Sequence, residues 1–519
     1  MHLELVVILL FAIATGVALV ARWLKVPYTT ALVAAGLIIG AGRWVPAPHL
    51  SKDLLFAVFL PGLLFEAAFH LDAKQFWANK LAICGLAVPG VVAAICVTAF
   101  VLLPIVAGLR LEHDFKLIDG LVFGGIVAAT DPIAVVALFK SLGAPKRLGV
   151  LVEGESLLND GTAVVLFGMI LTLAMGSKVT VSSVAVGFVH TCGLGVLMGA
   201  LVGYAGSRVI RLVDDPMIEI TTSVVVAWGS FALAEEVHAS GVLATVVAGL
   251  ICGNYGARTG MSPTTKIAVV SFWGYLAFAL NSLVFLLIGF EVNLSGVLAS
   301  WPTVLLAWCA MTVGRALVVA VATLLLRRSK ERLPKWWGLV MCWGGIRGGL
   351  SMVLVLGLPA LFPHRQFLIN VVFGVVVVSI FVQGGTMAPL LKRLGIVSEH
   401  ADTARYQLAR ADGLAARAGL EELETLVHSQ APEAALVVEL RSQYAQRIAD
   451  SDSQIRELHL TDSALQGEEE RRIRRHLTIV EKERVLRAVH EGLSSDDAAA
   501  VLLATLDARL AQLDDTDRA

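Results

Sequence analysis

Apolar residues run along the chain in blocks long enough to cross roughly 30 Å of hydrocarbon. Thirteen such blocks begin near Leu3, Thr29, Asp53, Leu81, Ile118, Leu148, Val181, Pro216, Ser240, Ile267, Gly296, Pro334 and Phe367, and the last ends near Leu394. The pattern predicts an all-α membrane protein with thirteen transmembrane helices. No basic stretch precedes the first block, Leu3 to Ala21, whereas Arg22 and Lys25 follow it. It reads as a retained span rather than a signal peptide.

Beyond about Glu399 the pattern changes to Arg, Glu, Ala and Leu at helical spacing, with no run long enough to span. Residues 1–395 are therefore expected to form the membrane domain and 396–519 a helical tail. Ser495, Asp496 and Asp497 read as a helix start, and Val501, Leu502, Thr505, Leu506, Leu510 and Leu513 make one apolar stripe. Such amphipathic helices need a partner, either each other or a second tail, with a regulatory module as the alternative.

A repeat is visible in the apolar blocks. Val33-Ala34-Ala35-Gly36-Leu37-Ile38-Ile39-Gly40 in the second resembles Val246-Val247-Ala248-Gly249-Leu250-Ile251-Cys252-Gly253 in the ninth, and Leu64-Phe65-Glu66 echoes Gly289-Phe290-Glu291. Seven spans separate the partners. Because seven is odd, the second copy is expected to run upside down, the inverted-topology repeat of secondary transporters.

Composition agrees with the pattern: 57% of residues are hydrophobic and 16% charged, where soluble domains carry nearer a quarter charged. The net charge of -1 hides an asymmetry, since from Glu399 onward 24 Asp and Glu face 15 Lys and Arg. Basic residues, including Arg327, Arg328, Lys330, Arg332 and Lys335, concentrate in the loops after odd-numbered spans. The positive-inside rule then puts the amino terminus outside and the tail in the cytoplasm. The six cysteines stand singly in apolar segments without metal-ligand spacing and are expected to pack.

The chemistry lies where charge interrupts an apolar block, because a charge inside a membrane span is costly and marks function. Glu153-Gly154-Glu155-Ser156-Leu157-Leu158-Asn159-Asp160 does so in the sixth span. At 100° per residue Ser156 and Asp160 share a face, while Glu155 and Asn159 share a neighbouring one. A carboxylate with hydroxyl and carbonyl oxygens suits a hard monovalent cation. A carboxylate in a low-dielectric cavity also takes up a proton when its cation leaves. Competition of the two for Asp160 is sufficient for exchange if the empty, charged site cannot cross the membrane barrier.

The fifth span holds Ala128-Ala129-Thr130-Asp131-Pro132, where proline removes an amide donor and disfavours helix before it, so a broken helix is expected. The twelfth holds Gly344-Gly345-Ile346-Arg347-Gly348-Gly349, a second break, and Arg347 is the expected partner of Glu155. Glu66 follows Pro61-Gly62 in the third span and is placed to complete the ion site or gate it. Arg315 and Glu153 read as structurally paired charges. Gln383-Gly384-Gly385-Thr386 reads as packing.

Together, Leu60-Pro61-Gly62-Leu63-Leu64-Phe65-Glu66, Ala129-Thr130-Asp131-Pro132-Ile133-Ala134-Val135, the Glu153 to Asp160 stretch and the Gly344 to Gly349 stretch resemble the monovalent cation:proton antiporter family, in its NhaP and sodium/proton exchanger branch. The resemblance covers residues 1–395 and not the tail. It implies a homodimer of thirteen-helix protomers, each with a dimerisation domain and a mobile core in which two broken helices cross. It further implies that Asp160 carries cation and proton, with Ser156, Glu66, the Thr130 carbonyl and Asp131 at the site. Asn159 would stabilise the core and Glu155 would pair with Arg347. The Asn-Asp pair, in place of two adjacent aspartates, is similar to electroneutral exchangers. Sodium or lithium would be the cargo, potassium the alternative with the same residues, and no cofactor or nucleic acid is implied. From other classes, a cation channel would need a continuous polar path. A hydrolase would need a base beside Ser156, and His190 in the seventh span is not so placed.

Overall fold

The computed structural model describes residues 3–24, 27–42, 55–108, 114–176, 180–257, 260–292, 294–397, 401–430 and 434–461, with scattered positions from 470 on. Among them every regular element is helical. The chain divides into two compact units, Met1–Val397 and Ser398–Ala519. The expected third-span start at Asp53, and Ser495, Asp496, Asp497, Val501, Leu510 and Leu513 of the tail stripe, lie outside the described residues.

The first unit begins with α1 (Leu3–Leu24), α2 (Tyr28–Gly42), α3 (Leu60–His70, after a π-helical turn Leu55–Phe59) and the short α4 (Ala73–Ala78). Then come α5 (Lys80–Gly108), α6 (Leu117–Ile126), α7 (Ile133–Leu142), α8 (Lys146–Ala174) and α9 (Val181–Ile210). α10 (Pro216–Glu236), α11 (Gly241–Gly256), α12 (Pro263–Glu291) and the short α13 (Leu294–Ala299) follow. The unit closes with α14 (Trp301–Leu326), α15 (Trp337–Trp343), α16 (Gly349–Leu356) and α17 (Arg365–Arg393).

Seven of these helices are long and apolar enough to cross a membrane. With 57% hydrophobic residues, the chain is an integral membrane protein. Burial differs sharply among the seven: 61% of the apolar window is buried in α12 and α17, but only 11% in α9. Most apolar side chains of helix α9 are therefore left uncovered by the rest of the chain.

Two groups of helices pack mainly within themselves. One contains α2 against α12, α3 against α11, and α9 and α10 against α11; the other contains α5 against α6 and α14, α6 against α8, and α17 against α14 and α16. In the first group the repeated glycines make the seams. A Cβ on Gly36 would meet the Leu286 carbonyl and Gly289 of α12, and one on Gly249 or Gly253 would meet the Phe65 or Phe69 carbonyl of α3. Each copy of the Gly-rich motif thus lies against the other copy's Phe-Glu helix, at a backbone approach that only glycine permits.

In the second unit, α18 (Ala401–Gln430) and α19 (Ala434–Thr461) form a helical hairpin. Tyr406, Ala409, Ala416, Leu423 and Val437 are buried in this unit, and Tyr406 packs on Ile455. Arg417 bridges to Asp452 at 2.8 Å, Arg441 to Glu424 at 2.8 Å, and Arg447 to Asp412. These amphipathic helices cover one another's apolar stripes.

Candidate functional site

Both predicted breaks are present, and they meet. The first runs from Val127 to Pro132 between α6 and α7, the second from Gly344 to Gly348 between α15 and α16. The Asp131 amide donates to the Ile346 carbonyl at 2.7 Å, joining break to break through the backbone. A broken helix leaves free amides at one end and free carbonyls at the other, with partial charges to match.

Buried charges answer those ends. Arg347 Nη1 donates to the carbonyls of Ala128 and Ala129, each at 3.0 Å, just past the carboxyl end of α6. Arg315, on α14, donates to the Met341 carbonyl in the last turn of α15 at 3.1 Å. Asp131 serves the amino-terminal ends: its Oδ1 accepts from the Ile133 amide at 3.0 Å, and a Cβ on Gly348, at the start of α16, would run into its carboxyl group. Each half-helix end therefore faces a charge of opposite sign.

The expected Glu155 to Arg347 pair is not what forms. Both oxygens of Glu155 are taken by Arg315, whose Nη1 and Nη2 grip it in a two-point fork, the second bond at 2.7 Å. Glu155 lies on the face of α8 turned to α14, whereas Arg347 sits inside the second break with the loose carbonyls of the first within reach. The Arg347 guanidinium is taken up by those carbonyls instead. Arg347 is further held by Ser379, whose Oγ accepts from its amide at 3.1 Å, and its Nε lies 2.9 Å from Met311 Sδ. Ser379 opens a π-helical turn in α17, Ser379–Gly384.

On α8 the other face holds the candidate ligands. The Ser156 hydroxyl donates to the Thr130 carbonyl, and Asn159 Nδ2 donates to the Ala128 carbonyl at 3.0 Å and to Thr130 Oγ1 at 3.1 Å. The Thr130 amide faces the Asp160 carboxyl group. Asp160 Oδ1 is buried and has no hydrogen-bond partner among the described residues. It opens on a cavity of about 110 Å³ lined by Glu66, Thr130, Asp131, Ser156, Asn281 and Ser351 among mostly apolar side chains. The cavity lies between the two helix groups, with α3 and α12 on one side and α8, α16 and the first break on the other.

Four of the expected site residues thus stand together, Asp160, Ser156, Thr130 and Asp131. Glu66 lines the same cavity but gives its Oε1 to His70 at 3.2 Å. Arg315 is paired, as expected, but Glu153 makes no ion pair among the described residues. Gln383 packs in the interior as expected, 1% exposed. His70, Ser379, Ser351 and Asn281 were not singled out from the sequence. A polar residue inside an apolar block is the available signal for Asn281 and Ser379, and a histidine one turn after Glu66 is the signal for His70. No group of His, Cys, Asp and Glu suited to a multivalent metal occurs among the described residues. The oxygens around Asp160 suit a monovalent cation held by one carboxylate.

A family model described as sodium/hydrogen exchanger, transmembrane, matches residues 6–393. The chain belongs to the sodium/hydrogen exchanger family. It is 33% identical over 500 residues to the Na(+)/H(+) antiporter NhaG of Bacillus atrophaeus, covering 94% of this chain and 93% of that one. With the Na(+)/H(+) antiporter NhaP of Pseudomonas aeruginosa it shares 40% identity over 353 residues, 66% of this chain and 81% of that one. Among solved structures, the sodium proton antiporter MjNhaP1 of Methanocaldococcus jannaschii superposes with a TM-score of 0.62 at 19% identity. That match spans 76% of this chain and 99% of the other, and it shows a shared fold. The exchanger family model ends at 393, so the tail hairpin lies beyond it.

Proposed function

We propose that this protein is a sodium/proton antiporter in which Asp160 binds either one sodium ion or one proton and carries both in turn. One observation carries the reading: Asp160 Oδ1 is buried on the cavity without a hydrogen-bond partner among the described residues, while its charged neighbours at the crossing are matched. Glu155 is neutralised by Arg315, and Arg347 and Asp131 each answer half-helix ends. At the crossing of the two breaks the unmatched charge is that of Asp160, with Glu66 across the cavity held by His70, so the crossing calls for one monovalent cation or one proton. Exchanging one for the other leaves its charge unchanged, which makes transport electroneutral. Sequence kinship to proteins named as sodium/proton antiporters supports sodium/proton exchange as the activity.

Ser156, the Thr130 carbonyl and Glu66 supply the remaining oxygens for sodium, with no resident cofactor. Asn159 and Arg347 hold the first break's carbonyls and thereby the site's shape. The thirteen apolar blocks are read as thirteen spans in two inverted repeats, with the amino terminus outside and the tail in the cytoplasm of a prokaryotic cell. Because the cavity lies between two helix groups, the group bearing Asp160 moves against the other and exposes the site alternately. The other group forms the homodimer, and the tail hairpin is a regulatory or assembly element.

The test is transport by the full chain in proteoliposomes. An imposed sodium gradient should move protons in the opposite direction, and Asp160→Asn should abolish the movement. Undiminished exchange in that variant overturns the assignment. Potassium driving the proton signal as well as sodium does would replace sodium as the cargo.

A further inference from the structure

Three polar atoms on residues that line the Asp160 cavity are buried and have no hydrogen-bond partner among the described residues: Asp160 Oδ1, Asn281 Oδ1 and Ser351 Oγ. The first belongs to the carboxylate already assigned. A hydroxyl such as that of Ser351 can turn either to donate or to accept, but an amide oxygen can only accept. A buried acceptor left unmet is costly to keep, so the Asn281 oxygen calls for a partner inside the cavity.

Asn281 belongs to the wall opposite Asp160. It lies on α12 with Val284 and Phe285, which line the cavity from the same helical face at i+3 and i+4. The next residue, Ser282, is turned away to the Tyr28 hydroxyl of α2 at 2.8 Å, and Tyr28 stacks on Phe278 with ring centroids 5.3 Å apart. These contacts and the close approach of Gly36 to Gly289 fix how α12 is rotated against α2. Asn281 is thereby held on the cavity face.

We infer that Asn281 is a further cation ligand, its amide oxygen meeting from α12 the sodium ion that Asp160 holds from α8. The inference rests on the antiport reading above and adds to it a residue that tells the two cargoes apart. A proton needs one lone pair, which Asp160 supplies alone. A hard cation needs several oxygens around it. Ser156, Thr130 and Asp160 line one side of the cavity, and Glu66 of α3 and Asn281 of α12 line the other. Glu66 is partly committed to His70, whereas the Asn281 oxygen is engaged by no described residue. A neutral oxygen strengthens cation binding without adding a charge, so the balance of one cation or one proton at the crossing is kept.

The experiment measures exchange by the full chain in proteoliposomes against sodium concentration, at alkaline pH, where protons compete least for Asp160. Asn281→Ala should raise half-saturating sodium about tenfold, the size of effect for one oxygen removed from a charged partner. The maximal rate at saturating sodium should stay within about twofold of wild type, the signature of lost binding rather than lost turnover. In detergent, the same variant should need correspondingly more sodium for the sodium-dependent rise in thermal midpoint. Asn281→Asp separates oxygen from nitrogen, because it keeps an oxygen in place and removes the amide donor. That variant should bind sodium at least as tightly as wild type. Unchanged half-saturation in Asn281→Ala overturns the inference, and so does a lower maximal rate at unchanged half-saturation, which marks a packing role. Binding in Asn281→Asp as weak as in Asn281→Ala assigns the work to the amide nitrogen and overturns it as well. Asn281→Leu, of similar shape and without the oxygen, replaces Asn281→Ala if that variant fails to fold. If Asp160→Asn abolishes exchange while the Asn281 variants keep the wild-type half-saturation, the antiport reading stands and this inference alone falls.

Discussion

Arg315 grips Glu155 with the two side chains only 10% and 2% exposed, whereas Arg441 grips Glu424 in the tail hairpin with both nearly half exposed. The chemistry is the same and the settings are opposite. In the membrane unit, water cannot replace a lost partner, so each charge must be answered by protein or by the transported ion. In the hairpin, water answers any charge that a substitution frees, and the apolar seam holds the helices whatever the ion pairs do. Arginine against carboxylate therefore builds the crossing in one region and decorates the surface in the other. The single buried carboxylate oxygen left over at the crossing is the one proposed to work.

The contrast can be broken most severely at Glu155. Glu155→Gln leaves Arg315 buried and unpaired, and should cost about 3–5 kcal/mol of stability, read as a lower thermal midpoint of the detergent-solubilised protein. Glu155→Leu combined with Arg315→Met should recover most of that loss, because the penalty belongs to the orphaned charge. A double variant as unstable as Glu155→Gln would show instead that the α15 carbonyl contact of Arg315 dominates.

Gly348→Ala probes the same region without removing a charge. The added methyl meets the Asp131 carboxyl group, which must shift away from the two half-helix starts it serves. Exchange should fall several-fold with a smaller loss of stability than Glu155→Gln. Wild-type exchange would mean that Asp131 is not needed where it stands.

The smallest effect is expected in the tail. Arg447 holds the Asp412 carboxyl below the usual carboxylate range by hydrogen bonding to it. A depressed value in the folded state contributes stability above the ordinary Asp value near 4, and that contribution fades as pH falls through the lower folded value. Asp412→Asn should remove this acid dependence and leave amide exchange in 401–461 nearly unchanged at neutral pH. A large loss of protection at neutral pH would show that the hairpin leans on its ion pairs as the membrane unit does.

Much of this was legible from the chain. Long apolar blocks announced an all-helical membrane protein, and four short motifs identified the family. Thr130-Asp131-Pro132 and the glycines around Arg347 announced two breaks, because missing donors and missing side chains act locally. Placing Ser156 and Asp160 on one face of α8 and Glu155 on its neighbour needed only helical spacing.

The partner across that neighbouring face was not legible. Spacing fixes the direction in which Glu155 points along its own helix, but which helix lies opposite depends on how α5, α6, α8 and α14 pack around one another. The packing put Arg315 there and left Arg347 to the carbonyls of the other break. Likewise the sequence placed His70 one turn after Glu66, yet only the assembled cavity made Glu66 a wall of the Asp160 site. The sequence by itself determined the membrane setting, the family, the breaks and the face each charge occupies, since these follow from local chemistry and period. Tertiary structure alone decided which charges cancel and which one is left over, because cancellation acts between helices far apart in the chain.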